Sequence, residues 1–163
     1  MIEIREVDLR QADVIVRIIS ESFRKQAEIL NITKDQYPSY VAFETLEALA
    51  KKYQTNKEHL VLAYKKDIPI GTVRYNASNN DPTKGYINRL AVIPTYRGNN
   101  FGSLLMTYAE AQLKKAGVNT VEISIVSQFE KLKKYYIGLG YKSIGDKTFA
   151  SLPFSVHFLE KKI

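Results

Sequence analysis

The segment Leu90-Ala91-Val92-Ile93-Pro94-Thr95-Tyr96-Arg97-Gly98-Asn99-Asn100-Phe101-Gly102-Ser103 holds the residue spacing with the clearest chemical meaning. It reads as a buried strand, then a short glycine-bearing loop, then the first turn of a helix. A loop that feeds a helix N-terminus offers an anion several backbone N–H groups with no intrahelical acceptor, together with the positive end of the helix dipole. The expected guest is a pyrophosphate. The spacing is neither the GxxxxGK[ST] of a nucleoside-triphosphate loop nor the GxGxxG of a dinucleotide fold.

Other chemistries find little support. The chain has no Cys, which removes disulfides, thiolate metal sites and a Cys nucleophile. Its two histidines, His59 and His157, lack the short spacing of a metal pair, so no metal is expected. A net charge of +7 arises from 24 Lys and Arg against 17 Asp and Glu. The basic residues fall as scattered doublets such as Lys51-Lys52, Lys114-Lys115 and Lys133-Lys134, without the long run that marks a nucleic-acid tail. No apolar run reaches the roughly 18 residues of a membrane span, and the first residues lack a signal-peptide layout, which together predict a cytoplasmic protein.

The elements that must position the loop follow from periodicity. At 163 residues the chain fits one domain, residues 1–163. Ile2-Glu3-Ile4-Arg5 alternates as a first strand, and Asp8 offers an N-cap to a helix whose Ile15, Ile18, Ile19 and Phe23 share one face. A second helix is expected from about Ser39 to Tyr53. His59 to Tyr64 and Ile68 to Tyr75 read as a hairpin, and residues 76–85 as the clearest loop. Tyr86 to Val92 is the strand before the cradle, and Gly102 to Ala116 the helix after it, stopped by Gly117. Val121 to Val126 is the next strand. Ser127-x-x-Glu130 has capping-box spacing for a short last helix ending near Gly138 to Gly140. Tyr141 to Ile144 and Val156 to Leu159 are the final strands, joined by a loop around Pro153.

Arg97-Gly98-Asn99-Asn100-Phe101-Gly102 resembles the [Q/R]-x-x-G-x-[G/A] segment of the GNAT superfamily of N-acetyltransferases. Tyr136-Ile137-Gly138-Leu139-Gly140-Tyr141 resembles that family's Y-x-x-x-G-[F/Y] ending of the second cofactor-binding helix. The two segments occur in the family's order, and the order of elements is similar over nearly the whole chain. The resemblance implies a mixed α+β, GNAT-like α/β fold: a central, mostly antiparallel sheet of about six to seven strands, splayed in the middle, flanked by about four helices. Asn100 stands where the family has glycine. Asn tolerates positive φ, so the turn is predicted to survive.

The resemblance also implies roles. Acetyl-CoA is the acyl donor. Its pyrophosphate falls to Arg97, Gly98, Asn99, Asn100, Phe101, Gly102 and Ser103, and its pantetheine arm to backbone groups of Leu90, Ala91 and Val92. Tyr136 takes the place of the general acid. A phenol of ordinary pKa about 10 is protonated at neutral pH and competent to protonate a departing thiolate; the plain alternative is that it packs helix against sheet. Tyr135 points elsewhere on the same helix. Many relatives carry a glutamate where this chain has Asn88, which leaves the base to relayed water or to a carboxylate such as Glu28 or Glu44. Phe129 stands near the place of a family asparagine. Phe23, Tyr37 and Tyr40 are candidate acceptor-side residues. The acceptor is an amine of a small molecule or a protein, and family members are often homodimers. Two other classes stay open: an acyl-CoA-binding sensor or subunit without catalysis, and a basic nucleic-acid-binding domain that rests on net charge alone.

Overall fold

A computed structural model describes all of residues 1–163. The chain runs β1 (Ile2–Val7), α1 (Ala12–Ile29), α2 (Leu46–Thr55), β2 (His59–Lys65), β3 (Ile68–Ala77), β4 (Lys84–Val92), α3 (Phe101–Lys115), β5 (Thr120–Val126), α4 (Glu130–Gly138), β6 (Lys142–Thr148) and β7 (Ser155–Lys162). The strands form one sheet in the order β1-β2-β3-β4-β5-β7-β6. Every neighbouring pair is antiparallel except β4 and β5.

That exception matters most for function. The parallel pair is joined only from Lys84↔Thr120 to Tyr86↔Glu122, after which the strands part. From Ile87 onward the β5-facing edge of β4 carries no strand. The sheet is thus splayed in the middle, as the family resemblance implied, with seven strands and four α-helices.

Two apolar layers hold this shape. Leu60 and Leu62 of β2 face Ile15, Ile18 and Ile19 of α1 and Leu49 of α2, whereas Val61 and Ala63 turn to Leu105, Met106, Ala109 and Leu113 of α3. Both faces of β2 are covered, so its sequence is apolar without polar alternation. A full burial of one such Leu or Ile contributes roughly 1.5–3 kcal/mol, which fixes the helices that flank the splay. A third cluster joins Ala27, Ile32, Tyr40, Ala42 and Val126 at the far end of α1.

Three local readings differ from expectation. Asp8 caps a 3-10 turn over Leu9–Gln11, its side chain accepting from Arg10 N–H at 2.9 Å, and α1 begins after it. The second helix begins later than Ser39: Val41–Phe43 is a single 3-10 turn, Glu44 is extended, and Thr45 caps α2 by accepting from Ala48 N–H at 3.1 Å. The physical reason is the Glu44 side chain, which two arginines of the sheet draw inward. Ser127 does not cap α4. Its N–H is tied to the Ser155 carbonyl and its hydroxyl donates to Asp146, so the helix starts after Phe129 without a side-chain cap.

Candidate active site

At the C-terminal end of β4, Pro94–Tyr96 makes a 3-10 turn, and residues 97–100 lead into α3. Gly98 has φ +83° and Asn100 has φ +63° and ψ +17°. Asn100 therefore adopts the left-handed turn that glycine would take, as its tolerance of positive φ predicted. No protein acceptor meets the backbone N–H groups of Gly98 through Ser103, and α3 has no side-chain cap. Six consecutive free donors at a helix N-terminus suit a diphosphate.

Arg97 does not point into this cradle. It donates from Nη2 to the Ser22 carbonyl at 2.7 Å and from Nε to the Val92 carbonyl at 3.2 Å, so it ties the loop to α1 and to β4. Asn99 donates to the Tyr96 and Arg97 carbonyls and stiffens the turn. Lys65, at the end of β2, supplies a cation close by, with Nζ 5.7 Å from the Phe101 ring centre and 5.9 Å from that of Tyr96. Reading the sequence missed Lys65, because β2 is remote from the loop along the chain.

The strand before the cradle is bent by a bulge. The register with β3 shifts between Thr72↔Ala91 and Arg74↔Asn88, and Arg89 takes φ +55°. A left-handed L-residue is strained by roughly 1–2 kcal/mol and needs support. Here the support is ionic: Arg89 Nε lies 3.0 Å from Glu44 Oε2, and Arg74 Nη2 lies 2.7 Å from the same oxygen. The Arg74 and Glu44 side chains are only 1% and 3% exposed. Burial alone would raise the Glu44 carboxyl, but the two guanidinium groups prevail and hold it below the usual carboxylate range. Past the bulge, Ala91 packs toward α1, while Leu90 and Val92 turn to the α3 layer. The free β5-facing edge of β4 lies next to them.

Tyr136 and Tyr135 occupy adjacent positions on α4 with different surroundings. Tyr136 is 8% exposed and packs edge-on to Tyr141 and Tyr135, with ring centres 6.0 and 5.2 Å apart. Its hydroxyl makes no hydrogen bond to the protein, and burial, aided by Tyr135, raises the phenol above its ordinary value. It is thus fully protonated at neutral pH. Tyr135 crosses the splay instead, its hydroxyl 3.2 Å from Ser103 Oγ at the start of α3. Successive helix positions lie about 100° apart, which separates the two rings.

The remaining candidates are dispersed. Tyr40 is buried, donates to Gln26 Oε1 at 3.1 Å and meets Phe43 and Phe154 edge-on; burial pushes its phenol up to about 12. Phe23, Tyr37 and Phe129 pack around the same third cluster. Glu28 lines a cavity of ≈ 570 Å³ between α1 and residues 31–43, whose Ala27, Ile32 and Ala42 pack with Val126 at the end of β5. Glu44 is engaged by two arginines. Asn88 faces a smaller cavity of ≈ 310 Å³ at the point where β4 and β5 part.

Comparison with known proteins agrees with this geometry. The chain is similar over its full length to the PaiA N-acetyltransferase of Thermoplasma acidophilum in complex with coenzyme A, covering 99% of that chain at 21% identity and a TM-score of 0.79. It is likewise similar to the ribosomal-protein-S18-alanine N-acetyltransferase of Escherichia coli, covering 100% of this chain and 94% of that one, at 12% identity and a TM-score of 0.77. At these identities the likeness concerns the fold. An aminoalkylphosphonate N-acetyltransferase of Salmonella typhimurium is 34% identical over 58 residues, which take in 36% of this chain and only 38% of that relative's length. Residues 26–141 match the acetyltransferase (GNAT) family. That match spans the bulged β4, the cradle and α4, so the chain belongs to the acetyltransferase (GNAT) family.

Proposed function

We propose that this protein is an N-acetyltransferase that binds acetyl-CoA and a primary amine together and transfers the acetyl group directly. The observation that carries the reading is the run of six free N–H donors from Gly98 to Ser103, beside a β4 edge that β5 leaves open. The cradle fits a pyrophosphate, and the open edge fits an amide-bearing arm. Bound there, acetyl-CoA supplies an activated acetyl thioester. Backbone groups of Leu90, Ala91 and Val92 hold the arm, and an N–H of the bulged strand polarises the thioester carbonyl, a role that depends on geometry and not on side-chain type.

Tyr136 is the proton donor. As the amine nitrogen bonds to the acetyl carbon and the C–S bond breaks, the phenol gives its proton to the leaving sulfur. The surplus proton on the acylated nitrogen returns through solvent to the phenolate, which restores the neutral phenol. Burial favours the neutral phenol, so the proton is in place before the thiolate forms. With no Cys in the chain, the obvious covalent acyl carrier is missing.

Thiol release from acetyl-CoA over a panel of primary amines, including aminoalkylphosphonates and a peptide with a free α-amine, tests the reading. The cysteine-free chain gives little background. Turnover by wild-type protein, with kcat reduced about 100-fold in Tyr136→Phe and unchanged acetyl-CoA affinity, is expected from the usual size of general-acid effects. Equal kcat in the variant would remove Tyr136 as the acid.

A further inference from the structure

The cavity of ≈ 310 Å³ beside Asn88 belongs to none of the parts placed so far. It straddles the last paired rung of β4 and β5, and its walls come from the end of α2, the β3–β4 connection and the floor of the sheet. Five asparagines, Asn56, Asn76, Asn79, Asn80 and Asn88, and two serines are among the residues that line it. Among its lining residues Glu122 alone is charged.

Two of these groups are under-used by the protein. Asn76 is 7% exposed, and its one side-chain bond is donated by Nδ2 to the Ala77 carbonyl at 3.1 Å, which leaves Oδ1 without a protein partner. Glu122 is half-buried and has neither a hydrogen bond nor an ion pair. Its register neighbour on β7 is Glu160, with Lys142 beyond it. A half-buried carboxylate without a cation beside it gains from taking one up, and amides that both donate and accept suit hydroxyl or amide groups.

We infer that this cavity is the acceptor pocket, that Glu122 holds the acceptor's ammonium group, and that the acceptor is a primary amine with a neutral, hydrogen-bonding body. The inference rests on the acetyltransferase reading, because it uses the pocket's place at the point where β4 and β5 part. It also separates this protein from the substrate class named for its partial relative: a phosphonate-bearing amine brings a negative group toward the only charge in the pocket, which is itself negative. The buried Arg74, Glu44 and Arg89 group stands at the Arg74↔Asn88 rung, next to the cavity wall.

The test is a titration of 15N-labelled protein saturated with coenzyme A, followed through the asparagine side-chain NH2 signals. The probes are serinol (2-amino-1,3-propanediol), its apolar isostere 3-aminopentane, and 2-aminoethylphosphonate. Serinol is expected to shift the Asn56, Asn76 and Asn88 signals saturably, with the other two probes at least tenfold weaker. Glu122→Gln should weaken serinol at least tenfold, and Glu122→Asp should restore part of the loss. Unmoved NH2 signals, equal binding by Glu122→Gln, or a preference for 2-aminoethylphosphonate would overturn the inference. The coenzyme A titration of the same sample separates the two levels: shifted Gly98–Ser103 amides with a silent pocket sink the acceptor inference alone, and unshifted cradle amides sink the acetyltransferase reading.

Discussion

The hydroxyl of Tyr135 reaches from α4 to within 3.2 Å of Ser103 Oγ on α3, and so spans the splay beside the cradle. A Cβ added at Gly102 would lie 2.9 Å from the same hydroxyl oxygen and 3.9 Å from the ring carbon that bears it. The overlap therefore involves one atom at the tip of a side chain.

A double-mutant cycle reads this contact. Gly to Ala inside a helix gains up to about 1 kcal/mol, so Gly102→Ala should be near neutral in wild type, where the clash offsets that gain. In a Tyr135→Phe background the same substitution should stabilise by about 0.5–1 kcal/mol in urea unfolding. Additive effects would show that Tyr135 does not approach α3.

Asn100 makes a separate prediction, because its φ of +63° leaves little choice of residue. Asn100→Ala should lose about 1 kcal/mol of stability, whereas Asn100→Gly should cost nothing and keep acetyl-CoA affinity. Equal losses in the two variants would mean that the Asn side chain matters more than its backbone.

Glu44 links stability to pH. Its carboxyl is held below its unfolded value, so its contribution is present above the unfolded carboxylate range and is lost as pH falls through the folded value. Glu44→Gln leaves Arg74 and Arg89 without their shared partner and should destabilise by about 3 kcal/mol at pH 7, as for other broken buried pairs. The gap between wild type and variant should narrow on acidification below pH 4. A gap that is constant with pH would remove the carboxylate charge as its cause.

Much of the architecture was legible because it rests on local patterns. The apolar periodicity of Ile15, Ile18 and Ile19, the run Leu60 to Ala63 and the stops at Pro94 and Gly117 placed the elements within a few residues. The turn from β4 into α3 was legible for the same reason, as strand, loop and helix are contiguous there. What escaped was set by contacts remote in sequence. Arg89 turns left-handed because Glu44, 45 residues away, holds its guanidinium, and no glycine marks the bulge. Arg97 carries a charge suited to phosphate yet bonds to Ser22 on α1. Ser127 has cap spacing, but the Ser155 carbonyl and Asp146 claim its N–H and its hydroxyl. The cavity beside Asn88 gathers residues from five elements and connections, and its asparagines read singly as turn formers.

In the proposed complex the six free N–H groups from Gly98 to Ser103 hold the pyrophosphate of acetyl-CoA. Calorimetric titration with acetyl-CoA, repeated with a cofactor fragment that lacks the pyrophosphate, tests it most directly. Tight one-to-one binding of acetyl-CoA and at least a roughly hundredfold loss for the fragment are expected. Equal affinities, or no binding of acetyl-CoA, would contradict it.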